Sequence, residues 1–310
     1  MALVERGGIG NPFENCMLCP RMCGADRTSG RWGYCRSGSG INVARVVAHH
    51  GEEPVLAGSQ GICNVFFSHC NMQCTYCQNY QISRNETQAA ESDLDDVIDQ
   101  IIGFLKNGVT TVGFVSPSHC IHQMKQIIVD IERHGWKPVY VFNTNSYDRK
   151  QTIESLEGLI DVYLPDLKYL KESVSVEYSD APGYPGIAAD SIKEMYRQKG
   201  PDINLNDRGN ITSGLIIRHL ILPGQVENSR SCLRFIAEEL SPSVHVSLMT
   251  QYWPIPAVAD HSLLGRTISQ EEYDAVMEEF DRLGLWRGWT QDLTSSECYR
   301  PDFTRPDVFG

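Results

Sequence analysis

Residues 62–81 read ICNVFFSHCNMQCTYCQNYQ. The first six, ICNVFF, form a short apolar run rich in β-branched and aromatic side chains, the mark of a buried strand. Directly behind it Cys70, Cys74 and Cys77 stand in a C-x3-C-x2-C run. A buried strand that ends in a loop of potential ligands belongs to a parallel sheet, where chemistry is carried at the carboxyl ends of the strands.

Further along the chain the same unit recurs. SDLDDVIDQIIGFLKNG predicts a helix: Leu94, Val97, Ile98, Ile101, Ile102 and Leu105 share one face, Ser92 is placed to cap its start, and Gly108 stops it. TTVGFV is a strand, IHQMKQIIVDIERHG a helix, PVYVFN a strand, RKQTIESLEG a short helix and DVYLPDLK a strand. After YSDAPGYPG come a helix in DSIKEMYRQKG, a strand in GLIIRHLIL, a helix in SRSCLRFIAEEL and a strand in VHVSLM. SQEEYDAVMEEFDRLG opens with a capping box, Ser269 with Glu272. Six strands alternating with amphipathic helices imply an α/β protein with a helix-covered parallel sheet. Six units are too few to close the eight-stranded barrel. The expected fold is a partial (β/α)6 TIM-like barrel with a cysteine-rich N-terminal segment, and an open doubly wound sheet is the rival. The expected division is residues 1–58 for that segment, 59–284 for the barrel and 285–310 for an irregular, aromatic tail. The insertion at 169–187 and the tail read as lids or partner surfaces.

The chain has 310 residues and a formal net charge of −12. That acidity argues against nucleic acid or an anionic membrane as the main partner. No apolar run approaches the roughly eighteen residues of a membrane span, and MALVERGGIG has neither the basic start nor the apolar centre of an export signal. A cytoplasmic location is expected, and with it reduced or metal-bound thiols in place of disulfides. Seven of the eleven cysteines lie in two clusters, and Cys63, Cys120, Cys232 and Cys298 are scattered. Lone cysteines act mostly as small buried apolar side chains.

Thiolates as dense as Cys70, Cys74 and Cys77 suit an iron–sulfur cluster or zinc. On a four-iron cubane, three thiolates leave one iron without a protein ligand, the kind of open position that catalytic metal sites keep for substrate. The alternative is a structural zinc site completed from a distance by His69 or His119.

With these residues in view, the chain resembles the radical S-adenosylmethionine superfamily. CPRMCGADRTSGRWGYC, FFSHCNMQCTYCQNY, DVYLPDLKY, IIRHLILPG and MTQYWP are similar to the group related to pyruvate formate-lyase activating enzyme. The resemblance implies an oxidoreductase in which S-adenosylmethionine chelates the open iron of a [4Fe–4S] cluster. One electron then splits the sulfonium, and a 5′-deoxyadenosyl radical takes hydrogen from substrate. It also implies residue roles. Asp166 and Lys168 match a D-x-K pair that contacts the methionine moiety. Arg218 matches a fifth-strand arginine, to be paired with the cofactor or with Asp166; a purely structural ion pair is the equal alternative. Tyr76 is an aromatic common inside the cysteine loop. Gln251 and Tyr252 lie where a sixth-strand motif meets the adenosyl end, with core packing the equal rival. A Gly-Gly-Glu motif that receives the cofactor's ammonium in activating enzymes is absent; FVSPSHC stands there, offering Ser116, Ser118 and His119. Asn143 and Asn145 end the third strand and could face the site or form a turn. The implied partners are reduced flavodoxin or ferredoxin as electron donor and a protein or peptide substrate. Small-molecule radical chemistry in cofactor biosynthesis and a non-catalytic iron–sulfur or zinc protein are the alternatives.

The second cluster, Cys16, Cys19, Cys23 and Cys35 in C-x2-C-x3-C-x11-C, offers four thiols. Four are enough to close a zinc site or a second iron–sulfur cluster, structural or electron-relaying, that could not bind the sulfonium. Arg21, Arg31 and Arg36 nearby would offset thiolate charge. His49 and His50 follow the strand-like INVARVVA; they could reach substrate, and an ordinary hydrogen-bonding role is the preferred reading.

Overall fold

The computed structural model describes residues 11–87, 89–297 and 300–309. The stretch read for an export signal, residues 1–10, and Cys298 lie outside the described residues.

Among the described residues nine strands make one sheet: β1 (Val43–His49), β2 (Ile62–Phe67), β3 (Thr111–Val115), β4 (Val139–Thr144), β5 (Val162–Pro165), β6 (Asn204–Leu205), β7 (Ile211–Leu220), β8 (His245–Met249) and β9 (Gly288–Thr290). The order is β1-β2-β3-β4-β5-β7-β8-β9, with β6 paired to β7 alone. From β2 to β9 the main path is parallel throughout; β1 and β6 are the antiparallel additions. Strand order follows chain order without reversal, so there is no switch point of the doubly wound kind, and the partial barrel is the fold found. β2 is buried at all six positions, β3 at all five and β5 at all four. Such continuous burial is why these strands read as apolar runs without alternation.

The helices are α1 (Pro54–Ala57), α2 (Tyr80–Ser83), α3 (Leu94–Lys106), α4 (Ile121–Arg133), α5 (Lys150–Glu154), α6 (Glu172–Ser179), α7 (Tyr184–Lys199), α8 (Val226–Phe235) and α9 (Gln270–Arg282). α3 buries Val97, Ile98, Ile101, Ile102 and Leu105 against the sheet. Its cap is Asp93, whose side chain accepts from the Asp95 N–H. The expected cap, Ser92, instead donates to the Val43 carbonyl at 2.8 Å and so ties the helix to β1. The capping box of Ser269 and Glu272 on α9 is formed. α8 runs on into a π turn at Ile236–Leu240.

The insertion at 169–187, read as a lid or partner surface, is packed. Tyr169, Tyr178, Ala181 and Tyr184 are buried, and α6 and the start of α7 form a wall against the cysteine loop. In the tail, Phe303 and Val308 bury against Phe66 of β2. No helix among the described residues is long and apolar enough to cross a membrane.

Candidate functional site

A cavity of about 380 Å³ opens at the carboxyl ends of the barrel strands, and Cys70, Cys74 and Cys77 all line it. The strands prepare this end with backbone few residues adopt. The residues just past β2, β3 and β4 include His69, Ser116 and Ser146, each with positive φ (69°, 51° and 63°). Non-glycine residues held in the left-handed region concentrate at functional sites.

Neighbouring elements fix the cysteine loop. The Gln73 and Thr75 N–H groups donate to the Ser179 and Tyr178 carbonyls at 3.1 and 2.8 Å. The Cys70 N–H donates to Asn85 Oδ1 at 3.2 Å. Each sulfur has a hydrogen-bonding group aimed at it. Cys70 Sγ receives Asn145 Nδ2 at 3.4 Å and the Met72 N–H at 3.4 Å, Cys74 Sγ receives the Ser179 hydroxyl at 3.0 Å, and Cys77 Sγ meets Ser83 Oγ at 3.2 Å. Burial pushes the Cys70 and Cys74 thiols up, with Lys168 pulling the other way. Such thiols are protonated when free, and a bound metal would displace their protons. Donors on the sulfurs are the usual support for cluster-bound thiolates, so this donor set fits an iron–sulfur group. Among the described residues no three His, Cys, Asp or Glu side chains stand close enough to grip a single ion.

The other expected site residues divide between the cavity and its surroundings. Ser116, Asn143, Asn145, Asp166, Lys168, Arg218 and Gln251 line the cavity. Lys168 Nζ sits 2.7 Å from Asp166 Oδ2. Burial opposes the ammonium's charge, but Asp166 and the Cys74 sulfur outweigh it and hold its pKa high. Tyr76 lines the cavity and its hydroxyl meets that of Tyr169 at 2.5 Å. Tyr252 stands behind it, buried, donating to the Leu264 carbonyl at 2.6 Å. Ser118 does not reach the cavity: it is fully buried and bonded to Thr144 Oγ1 at 3.1 Å. His119 is also off the wall, with Nε2 on the Ser68 carbonyl at 2.9 Å and its pKa pushed down to about 3 by burial. His69 lines the cavity, but its Nε2 is tied to the Thr87 carbonyl at 2.9 Å. Of the two histidines at the end of β1, His49 lines the cavity and stacks on Phe309, ring centroids 3.8 Å apart.

Arg218 is held in a buried ion pair, the structural alternative. Its partners are Glu52 and Glu53: Nε is 2.8 Å from Glu53 Oε1, Nη2 is 2.5 Å from Glu53 Oε2, and Nη2 also contacts Glu52. Asp166 meets Arg218 through a backbone bridge. β1 is antiparallel to β2, so the β1–β2 connection brings the two glutamates in from the amino end of the barrel, opposite the cysteine loop. Asn64 Nδ2 supports Glu52 Oε1 at 2.9 Å. Asn64 fits because its neighbour on β3 is Gly113, whose Cβ would fall 2.3 Å from Asn64 Oδ1. The two glutamates escaped the sequence reading. The signal available was the adjacent acid pair before Pro54, in HHGEEP, next to a strand that must bury an arginine.

No protein-family model matches the chain. An uncharacterized protein of Methanocaldococcus jannaschii is 27% identical over 285 residues, covering 89% of this chain and 77% of that protein. Among solved structures, the [FeFe]-hydrogenase maturase HydG of Carboxydothermus hydrogenoformans matches with a TM-score of 0.51 and 14% identity over 74% of this chain. The match spans only 52% of HydG. A point mutant of spore photoproduct lyase matches with a TM-score of 0.50 and 11% identity, covering 82% of this chain and 81% of that one. These likenesses concern the fold, which they share with this chain.

Proposed function

We propose that this protein is a radical S-adenosylmethionine enzyme, with a [4Fe–4S] cluster held by Cys70, Cys74 and Cys77. The observation that carries the reading is a count at one place. Three thiols with donors on their sulfurs face a single cavity, and no fourth cysteine is on its described wall. Of the two histidines considered as a fourth ligand, His119 is off the cavity wall, and His69 lines it with Nε2 on a backbone carbonyl and Nδ1 unpartnered. When bound, the cluster would supply one electron to the sulfonium and so generate the 5′-deoxyadenosyl radical that abstracts hydrogen.

The chain's residues have distinct tasks in this reading. Lys168 places a buried cation beside the cysteine loop, where an amino-acid carboxylate would be neutralised. Asp166 holds that ammonium in position and can accept from an ammonium or a ribose hydroxyl. Ser116, Asn143 and Asn145 offer neutral acceptors at the ends of β3 and β4, replacing the carboxylate of the activating enzymes. Tyr76, with Tyr169 and Tyr252 behind it, closes the loop's far side to water. The finer reading is a protein or peptide substrate, a reduced flavodoxin or ferredoxin as donor, and an activating-enzyme-like reaction in the cytoplasm. Small-molecule chemistry is the alternative.

The test is anaerobic reconstitution with iron and sulfide, reduction with dithionite and addition of S-adenosylmethionine. Formation of 5′-deoxyadenosine by the wild type, and none by Cys74→Ala, is expected. A loaded cluster that forms no 5′-deoxyadenosine, or zinc bound at this loop, overturns the proposal. Deuterium transfer from labelled peptides or small molecules into 5′-deoxyadenosine separates the two substrate classes.

A further inference from the structure

The cavity that reaches the cysteine loop has a second, differently built end. At the amino ends of the strands Leu56, Ile62, Val141, Val162 and Ile216 pack into an apolar plug. Glu52, Glu53 and Arg218 line the cavity over that plug. Two carboxylates share one guanidinium there, and among the described residues neither has an ion pair with another cation. Glu53 takes Nε and Nη2 together, while Glu52 has Nη2 and the Asn64 amide. Lys168, which also lines the cavity, is paired with Asp166. The floor therefore carries one negative charge in excess. An uncompensated buried charge is costly and calls for a partner of opposite sign.

His49 supplies an independent observation. It is 8% exposed, lines the same cavity and has no partner on Nδ1. Burial pushes its pKa down against the pull of Glu52, so the ring adds no positive charge at neutral pH and keeps a nitrogen able to accept. Phe309 stacks on this ring, and Trp289 and Phe66 line the wall nearby. Aromatic faces of this kind favour a cation. The sheet register sets this end apart from the thiols: His49 pairs with Ile62 at the start of β2, whereas Cys70 follows the strand's end. In the reading above, the cofactor's sulfonium belongs to the cysteine loop, among thiolates, so it does not answer the charge on the floor.

We propose that Glu52, Glu53 and His49 form a subsite on the cavity floor that takes a protonated primary amine of the substrate. This rests on the radical reading above and narrows its substrate to molecules that carry an ammonium, whether on a lysine side chain of a peptide or on a small free amine. An ammonium has three donors and no acceptor. The floor answers with carboxylate oxygens and an unpartnered ring nitrogen. Its single positive charge restores the balance that Arg218 alone leaves short. An amine anchored on the floor directs the rest of the molecule toward the cysteine loop, where hydrogen would be taken.

The test is calorimetric titration of the full chain, anaerobically reconstituted but not reduced, so that nothing turns over. The probes are n-pentylamine, n-pentanol and pentanoate, alike in length and different in charge. Pentylamine should bind at least about tenfold tighter than either control. Glu52→Gln keeps the size of the side chain and leaves Glu53 on Arg218; it should lose about 10–100-fold in pentylamine affinity and with it the preference over pentanol. His49→Phe keeps a ring without nitrogens and should lose about 2–10-fold. Equal binding of the three probes by the wild type overturns the proposal and needs no variant to fold. The same preference in a folded Glu52→Gln protein also overturns it, and unchanged affinity in His49→Phe overturns the imidazole's part. Tighter binding of the peptide acetyl-Gly-Lys-Gly-amide than of pentylamine assigns the amine to a peptide side chain, and the reverse assigns it to a small molecule. The radical reading fails separately. Amine binding by a chain that forms no 5′-deoxyadenosine would leave this subsite standing, whereas 5′-deoxyadenosine formed without any amine preference would overturn the subsite alone.

Discussion

Replacing Arg218 by methionine isolates the largest electrostatic element of the barrel interior. The side chains of Arg218, Glu52 and Glu53 are 11%, 9% and 5% exposed, so solvent does little to screen them. At an effective dielectric near 20, each close carboxylate contributes about 4 kcal/mol of attraction. Desolvation of the guanidinium and repulsion between the two glutamates offset part of that. Breaking such a buried set by removing one member typically costs about 3–5 kcal/mol, because it strands uncompensated charge. We expect that loss for Arg218→Met near neutral pH, read as a lower urea midpoint with an unchanged slope in cluster-free protein under reductant.

The pH dependence gives the sharper test. In the wild type, burial raises the Glu52 pKa and Arg218 outweighs it, so the net shift is downward from 4.5. A depressed carboxylate contributes stability above its unfolded pKa and loses it as pH falls through the folded one. Without Arg218 the burial effect is left alone and the shift changes sign. The folded state then favours the protonated acid, and a penalty absent in acid grows as pH rises past the unfolded value. The gap between wild type and variant should therefore narrow from about pH 7.5 to about pH 5, and Arg218→Met/Glu52→Gln should recover part of it at the higher pH. A gap below about 1 kcal/mol, or one that does not vary with pH, would refute the reasoning.

Other expectations concern the cavity and its supports. Burial pushes Asp148 up to about 6 from 3.8. The wild type should thus lose up to about 3 kcal/mol as pH rises between those values, and Asp148→Asn should flatten that dependence; an unaltered pH profile in the variant rules this out. Lys168→Met should weaken S-adenosylmethionine binding about 10–100-fold by calorimetry, as loss of a charged hydrogen bond predicts, and unchanged affinity would remove Lys168 from the carboxylate role. Ser179→Ala deletes the donor 3.0 Å from Cys74 Sγ, so the cluster's midpoint potential should fall in an electron paramagnetic resonance titration; a potential equal to wild type would show that this bond does not tune the cluster.

What could be read from the sequence divides along contact range. The strand at 62–67, its cysteine loop and the α3 face were legible because their signals are local: an apolar run, a thiol spacing, a period of 3.6. The partner of Arg218 was not, since Glu53 lies 165 residues away and enters from the opposite end of the barrel. The misplacement of Ser118 has the same origin: whether a hydroxyl after β3 faces the cavity is settled by Thr144 on β4, a tertiary contact. The packing of the insertion was not legible because α6 is not amphipathic by pattern. It buries Tyr178 and Ser179, and the hydroxyl of Ser179 bonds to Tyr169 at 2.6 Å and to Cys74. A polar residue buried to serve a sulfur breaks the apolar period by which a packed helix is recognised. The residues that place the thiols, Ser179, Asn145 and Asn85, therefore resemble turn residues in the sequence, and only the packed barrel distinguishes them.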